Sequence, residues 1–141
     1  MKKTALLQKL KQEITEEEYI MLSENRISNI SQYNRHLLLD MMSLDFIAEG
    51  EVSTKQVEAL RNALVSYLGV YMADVKSGWK WIILTCIYLG FICEQPLHPQ
   101  KIVNYITKTV DNKSSYFCPM KDESTGSVCL FCVCKNMKIT D

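Results

Sequence analysis

Residues 54–76 have the sequence TKQVEALRNALVSYLGVYMADVK, which contains the clearest amphipathic pattern in the chain. Apolar side chains recur there every three or four positions, which is the spacing of one face of an α-helix. They are Val57, Leu60, Leu64, Tyr67, Leu68, Tyr71 and Val75. Ser53 and Gln56 have the spacing of an N-cap residue and its partner three positions on. We therefore predict a helix over residues 54–76, broken at Ser77 and Gly78.

Three segments before this helix predict further helices. Residues 4–13 carry leucines among lysine and glutamine, which is typical of a short amphipathic helix. Thr15 and Glu18 have the spacing of a capping box, so a second short helix is expected to begin there. Apolar residues over 32–49 step by three and four, and Gly50 stands where a glycine would end that helix.

The most apolar stretch runs from Trp81 to Cys93, with Lys80 and Glu94 on either side. It is shorter than the roughly 20 apolar residues that a membrane-spanning helix needs. A helix that is apolar on all sides is typical of a buried position. We predict that residues 79–93 form the central helix of a bundle of four to five helices, and that no membrane is involved.

Composition and charge favour one globular domain. The chain has 141 residues, 48% of them apolar, with 16 basic and 16 acidic side chains. This balance argues against a dedicated nucleic-acid-binding protein. The amphipathic patterns divide the chain into a helical bundle over 1–95 and a C-terminal appendage over 96–141. Polar residues interrupt any secretory signal near the start, so we expect a cytoplasmic protein with reduced or metal-bound cysteines.

The appendage begins with a pattern typical of a β-hairpin. Residues 102–110 are rich in β-branched side chains, residues 111–114 are turn-like, and residues 116–118 are again β-prone. The alternative is a helix over 99–110.

Four cysteines lie within seventeen residues of the C-terminal region: Cys118, Cys129, Cys132 and Cys134. Cys129 and Cys132 form a Cys-x-x-Cys knuckle, and such thiolates bind zinc or an iron–sulfur cluster. A polar segment of this size has little core of its own and needs a staple. The fourth ligand is either His98, held between two prolines, or Cys134. The competing interpretation is a set of reduced, semi-buried thiols.

Two other pairs have ligand-like spacing. Cys86 and Cys93 share one face of the apolar helix, where core packing is the usual role of cysteine. Cys93 lies near His98 in sequence, so it is also a candidate spare ligand or redox partner. His36 and Asp40 stand four apart, and most such helical pairs are solvated surface contacts.

Three motifs carry a family resemblance: PLHP at 96–99, YFCPMK at 116–121 and CLFC at 129–132. The pattern resembles an uncharacterised family of methanogenic archaea, domain of unknown function twenty-one fifteen. The resemblance implies a helical N-terminal region and a Cys₃His metal set: His98, Cys118, Cys129 and Cys132. It disfavours Cys134. The chain differs from the family pattern at Leu130, where a proline is usual, and over 100–102, where a glycine-rich stretch is usual.

No catalytic motif accompanies these ligands. The chain has no zinc-deaminase signature, no His-Glu-x-x-His, and neither a Walker loop nor a dinucleotide-binding glycine motif. We therefore expect a structural zinc site in an interaction module whose partner would be a protein. The alternative is a redox enzyme with an iron–sulfur cluster or an open zinc position. A zinc ribbon that contacts nucleic acid is a weaker alternative, since the net charge is zero.

Overall fold

The structure, a computed structural model, describes residues 1–45, 47–122, 124 and 126–136. The described residues are mainly helical with a small hairpin near the C-terminus, so the predicted fold class is confirmed. The α-helices are α1 (Lys3–Gln12), α2 (Glu16–Ser23), α3 (Gln32–Ser43), α4 (Thr54–Tyr71) and α5 (Trp79–Ile87). The strands are β1 (Ile106–Val110), β2 (Lys113–Cys118) and β3 (Lys135–Asn136).

Helix α5 lies at the centre of the helical part and packs against α3 and α4. It continues into a π-helix, Tyr88–Cys93, which packs against α1. The main core therefore draws its side chains from every helix. Its fully buried members include Leu10, Leu22, Leu38, Met41, Leu60, Leu68, Leu84 and Ile87.

The helical run Ala73–Cys93 is 21 residues long because a 3₁₀-helix, Ala73–Gly78, precedes α5. By length and composition this run could cross a membrane, and 44% of its most apolar window is buried within the protein. The apolar stretch from Trp81 to Cys93, whose short length was the reason to predict no membrane span, is only part of this run. The core helix of a globular protein satisfies the same criterion, so length and composition do not decide the matter.

Helix α4 is shorter than predicted and buries a narrower face. It ends at Tyr71 rather than at residue 76, and the indole Nε1 of Trp79 donates a 2.8 Å hydrogen bond to the carbonyl of Met72. The predicted apolar face was too wide, because Tyr67 and Tyr71 lie exposed and contact each other, with ring centroids 4.7 Å apart and the ring planes tilted by 40°. The buried part of that face is the line formed by Val57, Leu60, Leu64 and Leu68.

Helix α3 also ends early, at Ser43, so the predicted helix over 32–49 was too long. The Ser43 hydroxyl donates a 2.8 Å hydrogen bond to the carbonyl of Asp40. The Lys11 ammonium of α1 donates a hydrogen bond to the carbonyl of Leu44, the residue that follows α3. Without this contact, that carbonyl would be left unpaired at the end of the helix. A contact from another helix therefore stabilises this end, and Gly50 has no capping role. Phe46, a predicted apolar position, lies outside the described residues.

The predicted capping box at α2 is confirmed. The Thr15 hydroxyl accepts from the amide of Glu18 at 3.1 Å, and the Glu18 carboxylate accepts from the amide of Thr15 at 3.0 Å. The same carboxylate forms a 2.8 Å ion pair with Lys80 of α5. Burial alone would raise the pKa of Glu18, but the contacts with Lys80 and Thr15 together lower it below its ordinary value.

We expect Glu18→Gln to make the free energy of unfolding less sensitive to acid. A carboxyl group with a lowered folded pKa contributes stability above its unfolded pKa, and that contribution is lost as the pH falls through the folded pKa. Melting temperatures measured between about pH 7 and about pH 3 should therefore fall less steeply in the variant than in the wild type. Glu17→Gln, an exposed neighbour in the same turn, is the control. Equal pH slopes in wild type and Glu18→Gln would contradict the assignment.

The C-terminal region forms the predicted hairpin, and the alternative helix over 99–110 is wrong. Strands β1 and β2 pair antiparallel from Ile106↔Phe117 to Val110↔Lys113. The two residues between them, Asp111 and Asn112, have φ values of 51° and 63°. Positive φ at both positions is the geometry of a type I′ hairpin turn. Strand β3 then pairs parallel to the end of β2, which brings the chain after the knuckle back beside the hairpin.

Candidate metal centre

Strand pairing brings two of the four C-terminal cysteines together. Cys118 ends β2, and Cys134 directly precedes β3, the strand that pairs with the end of β2. The two side chains are 8% and 2% exposed, and they form a small core with Val103. Tyr105, Tyr116 and Cys132 pack against this core. The hairpin region therefore has its own apolar cluster, separate from the main helical core.

The Cys-x-x-Cys knuckle is attached to the helices. Cys129 lies in a 3₁₀-helix, Val128–Phe131, and its amide donates a 3.2 Å hydrogen bond to the hydroxyl of Ser127. The amide of Cys132 donates to the carbonyl of Cys129 at 3.2 Å, which closes the turn. Val128 and Phe131 pack against the main core, and this 3₁₀-helix lies beside α4. The knuckle therefore stands between the helical core and the hairpin.

His98 approaches the cysteines from the exit of the π-helix. The chain leaves that helix at Glu94, whose φ is 51°, and the buried Pro96 then fixes the following corner. The His98 side chain is exposed, while its carbonyl accepts a 2.7 Å hydrogen bond from the hydroxyl of Tyr105. This bond ties the Pro-flanked corner to the segment that leads into β1.

One cavity of about 30 Å³ is bordered by His98 and all four clustered cysteines. Its remaining walls are Leu97, Tyr105, Lys121 and Val128. Within the part of the chain that the structure describes, no three His, Cys, Asp or Glu side chains stand in an arrangement that could hold a metal ion. The donors thus surround a common cavity without converging on one point.

Lys121 and Tyr105 are wall residues that the sequence interpretation missed. The Lys121 ammonium donates to the carbonyl of Cys132 at 3.3 Å and also to the carbonyl of Cys134. It therefore holds the chain on both sides of Val133. Only a tertiary contact defines this role, since nothing in the local sequence distinguishes Lys121 from other surface lysines.

The thiol of Cys134 has a strongly raised pKa. Burial first, and then the neighbouring Cys132 and Cys118 thiols, raise the pKa of Cys134 to about 12, while Lys121 acts in the opposite direction. The pKa of Tyr105 is raised by burial and by the same three thiols. In the metal-free protein Cys134 is therefore protonated at neutral pH, which is the opposite of what a nucleophilic cysteine needs.

Cys86, rather than Cys93, is the helical cysteine beside the cluster. Burial, followed by the charge of Cys132, raises the pKa of Cys86 to about 12. Cys86 also borders a cleft that Cys129 and His98 share. Cys93 does not border the 30 Å³ cavity, and burial raises the pKa of its thiol, while Tyr88 and Lys3 act in the opposite direction. His36 and Asp40 are exposed on α3, and neither borders the 30 Å³ cavity.

Comparison with known proteins identifies the family. Residues 1–137 match the model described as "Uncharacterized protein conserved in archaea (DUF2115)". The chain belongs to this family. The predicted family is thereby confirmed, and the match extends through the helical region as well as the C-terminal one. Among relatives of the DUF2115 chain is the UPF0305 protein MJ0646 of Methanocaldococcus jannaschii, which is 27% identical over 97% of this chain and 98% of its own length. No solved structure matches the chain significantly.

Proposed function

We propose that this archaeal protein binds one zinc ion at the C-terminal cysteines, and that the metal has a structural role in a non-catalytic interaction module. The observation that carries the proposal is the shared cavity bordered by His98 and four cysteines. Thiolate and imidazole are the donors that structural zinc sites use. A metal site also rarely exists preformed without its metal, so binding would draw the donors closer together.

The size of the cavity favours a single ion over a cluster. A volume of about 30 Å³ exceeds the roughly 10–15 Å³ that one water-sized group needs, so the cavity can hold a single ion. An iron–sulfur cluster contains several iron and sulfide atoms and would need a larger opening between the hairpin and the knuckle. This argument supports zinc, although soft thiolates select both kinds of centre.

The structural role follows from what the donors are attached to. Cys118 belongs to the hairpin, and Cys129 and Cys132 belong to the knuckle that packs on the helical core. A zinc ion bound to these three sulfurs would clamp the hairpin to the helices. Bound to His98 as well, it would fix the exit of the π-helix. Zinc would supply this cross-link as a Lewis acid without redox chemistry of its own.

The fourth ligand distinguishes two forms of the proposal. The family resemblance implies His98, an exposed side chain at the edge of the cavity. Cys134 is the competitor because it is almost fully buried beside Cys118 and Cys132. We retain the set of His98, Cys118, Cys129 and Cys132, and we treat Cys134 as the alternative that the spectrum of a cobalt derivative can detect.

The test is elemental analysis of the anaerobically purified protein, together with its visible spectrum. We expect about one zinc per chain and no visible absorbance. Replacing zinc with cobalt(II) should then give sulfur-to-metal charge-transfer bands whose intensity corresponds to three thiolates. The bands could instead have the intensity expected for four thiolates. If that intensity then fell in Cys134→Ser and not in His98→Ala, Cys134 would be the fourth ligand. Protein that takes up no zinc when supplied with it would contradict the proposal.

A coloured protein containing iron and sulfide would instead support the second function class, a redox enzyme. The exposed edge of the cavity at His98 is the feature that favours such a centre, since an open position is where a substrate would reach the metal. The same purified sample therefore separates the two function classes.

A further inference from the structure

A second cleft lies between α3 and the hairpin region, and it shares His98 and Tyr105 with the border of the cysteine cavity. Its volume is about 580 Å³, which lies within the range of small-molecule sites. One wall comes from the start of α3, including Tyr33 and His36. The opposite wall comes from Lys101 and from Tyr105 and Tyr116 of the hairpin region. The zinc proposal assigns no role to this cleft.

The charge of the cleft has one sign. Lys101 is the only charged side chain among the described lining residues, and none of those residues is acidic. The two histidines of the chain, His36 and His98, both border it. A ligand here would thus meet the ammonium group of Lys101 and the imidazole of His36, with no carboxylate among the described lining residues to repel a negative charge. This composition favours an anionic ligand.

The same walls are aromatic. Tyr33 of α3 borders the cleft, and so do Tyr105 and Tyr116 of the hairpin region. The hydroxyl of Tyr105 is already bonded to the carbonyl of His98, so that residue offers mainly its ring. The side-chain amides of Gln95 and Gln100 add groups that donate and accept hydrogen bonds. Flat rings and amides together suit a planar ligand with polar edges.

From these features we propose that the cleft binds a small planar aromatic anion. Mononucleotides and aromatic carboxylic acids share this chemistry, in which a flat ring stacks on tyrosine and an anionic group reaches Lys101. The proposal does not depend on zinc, because Tyr33 and Lys101 are not among the candidate metal ligands.

Calorimetric titration of the full chain with four probes tests the proposal. Adenosine monophosphate and 4-hydroxybenzoate carry a ring and an anion, adenosine carries the ring alone, and inorganic phosphate carries the anion alone. We expect at least one of the first two to bind more tightly than adenosine and phosphate. The one that binds best identifies the source of the anion. Failure of both aromatic anions at millimolar concentration would overturn the proposal, and so would phosphate binding as tightly as either of them.

Variants locate the binding. Lys101→Gln should weaken the binding of the preferred probe about tenfold, the loss expected for one hydrogen bond to a charged group. Tyr33→Leu should weaken it through lost stacking. The matched controls are Lys113→Gln, at the far end of the hairpin, and Tyr71→Leu, an exposed tyrosine on α4. Equal binding by Lys101→Gln and Lys113→Gln would place the ligand elsewhere, and circular dichroism checks that each variant is folded.

Discussion

Replacing Cys132 with serine is expected to weaken the binding of zinc tenfold or more, while leaving the helices folded. Serine keeps the shape of the side chain and removes the soft thiolate that zinc prefers. Cys132 belongs to the knuckle, and it also packs against Cys118 and Cys134. Loss of even an outer-shell partner typically costs about 10-fold to 100-fold in metal affinity, so loss of a ligand should cost at least as much.

The structural consequence should be confined to the C-terminal region. Without the clamp, the hairpin keeps only its own ladder, the short pairing with β3 and a small core around Val103. Hydrogen exchange should therefore become faster in β2 and in the knuckle. The amides of α4 and α5 should keep their protection, because the main core is formed by the helices. Far-ultraviolet circular dichroism should show unchanged helix content.

Cys93→Ser is the matched control for this experiment. Cys93 is another half-buried cysteine, but it does not border the cavity. It should retain the zinc content of the wild type. If Cys132→Ser also kept the wild-type affinity for zinc, the ligand assignment would be wrong. If both variants lost zinc, the loss would reflect a general loosening of the protein rather than removal of a ligand.

The parts of the fold that could be predicted from the sequence are those determined by local contacts. Thr15 and Glu18 stand three positions apart, and their hydrogen bonds need no other segment. The hairpin is similar, because Asp111 and Asn112 tolerate the positive φ values that its turn requires. These features depend on neighbouring residues, so their sequence patterns were sufficient.

Features set by distant contacts were missed. Helix α3 ends where Lys11 of α1 reaches the carbonyl of Leu44, and the sequence of α3 contains no sign of this contact. Strand β3 has only two residues, and its parallel pairing with β2 joins residues eighteen positions apart, Phe117 with Lys135 and Cys118 with Asn136. That pairing brings Cys134 into the same small core as Cys118. The position of Cys134 relative to the candidate ligands therefore depends on a strand too short to predict.

Leu68→Ala is expected to lower the free energy of unfolding by about 2–5 kcal/mol. Leu68 is 1% exposed in the main core, so truncation removes apolar contacts and leaves a cavity that its neighbours fill only partly. Urea unfolding followed by circular dichroism measures the change, with zinc held at one concentration because a bound metal stabilises the folded state.

Tyr71→Ala distinguishes the face that the structure buries from the one that the sequence pattern predicted. Leu68 and Tyr71 both belong to the predicted apolar face of α4. Tyr71, however, is 71% exposed, and its aromatic contact is with Tyr67. We expect this variant to lose less than about 1 kcal/mol, because an aromatic pair contributes little and alanine favours the helix. Equal losses in the two variants would mean that α4 is rotated, with Tyr71 in the core. A large loss only in Leu68→Ala would support the packing described for α4.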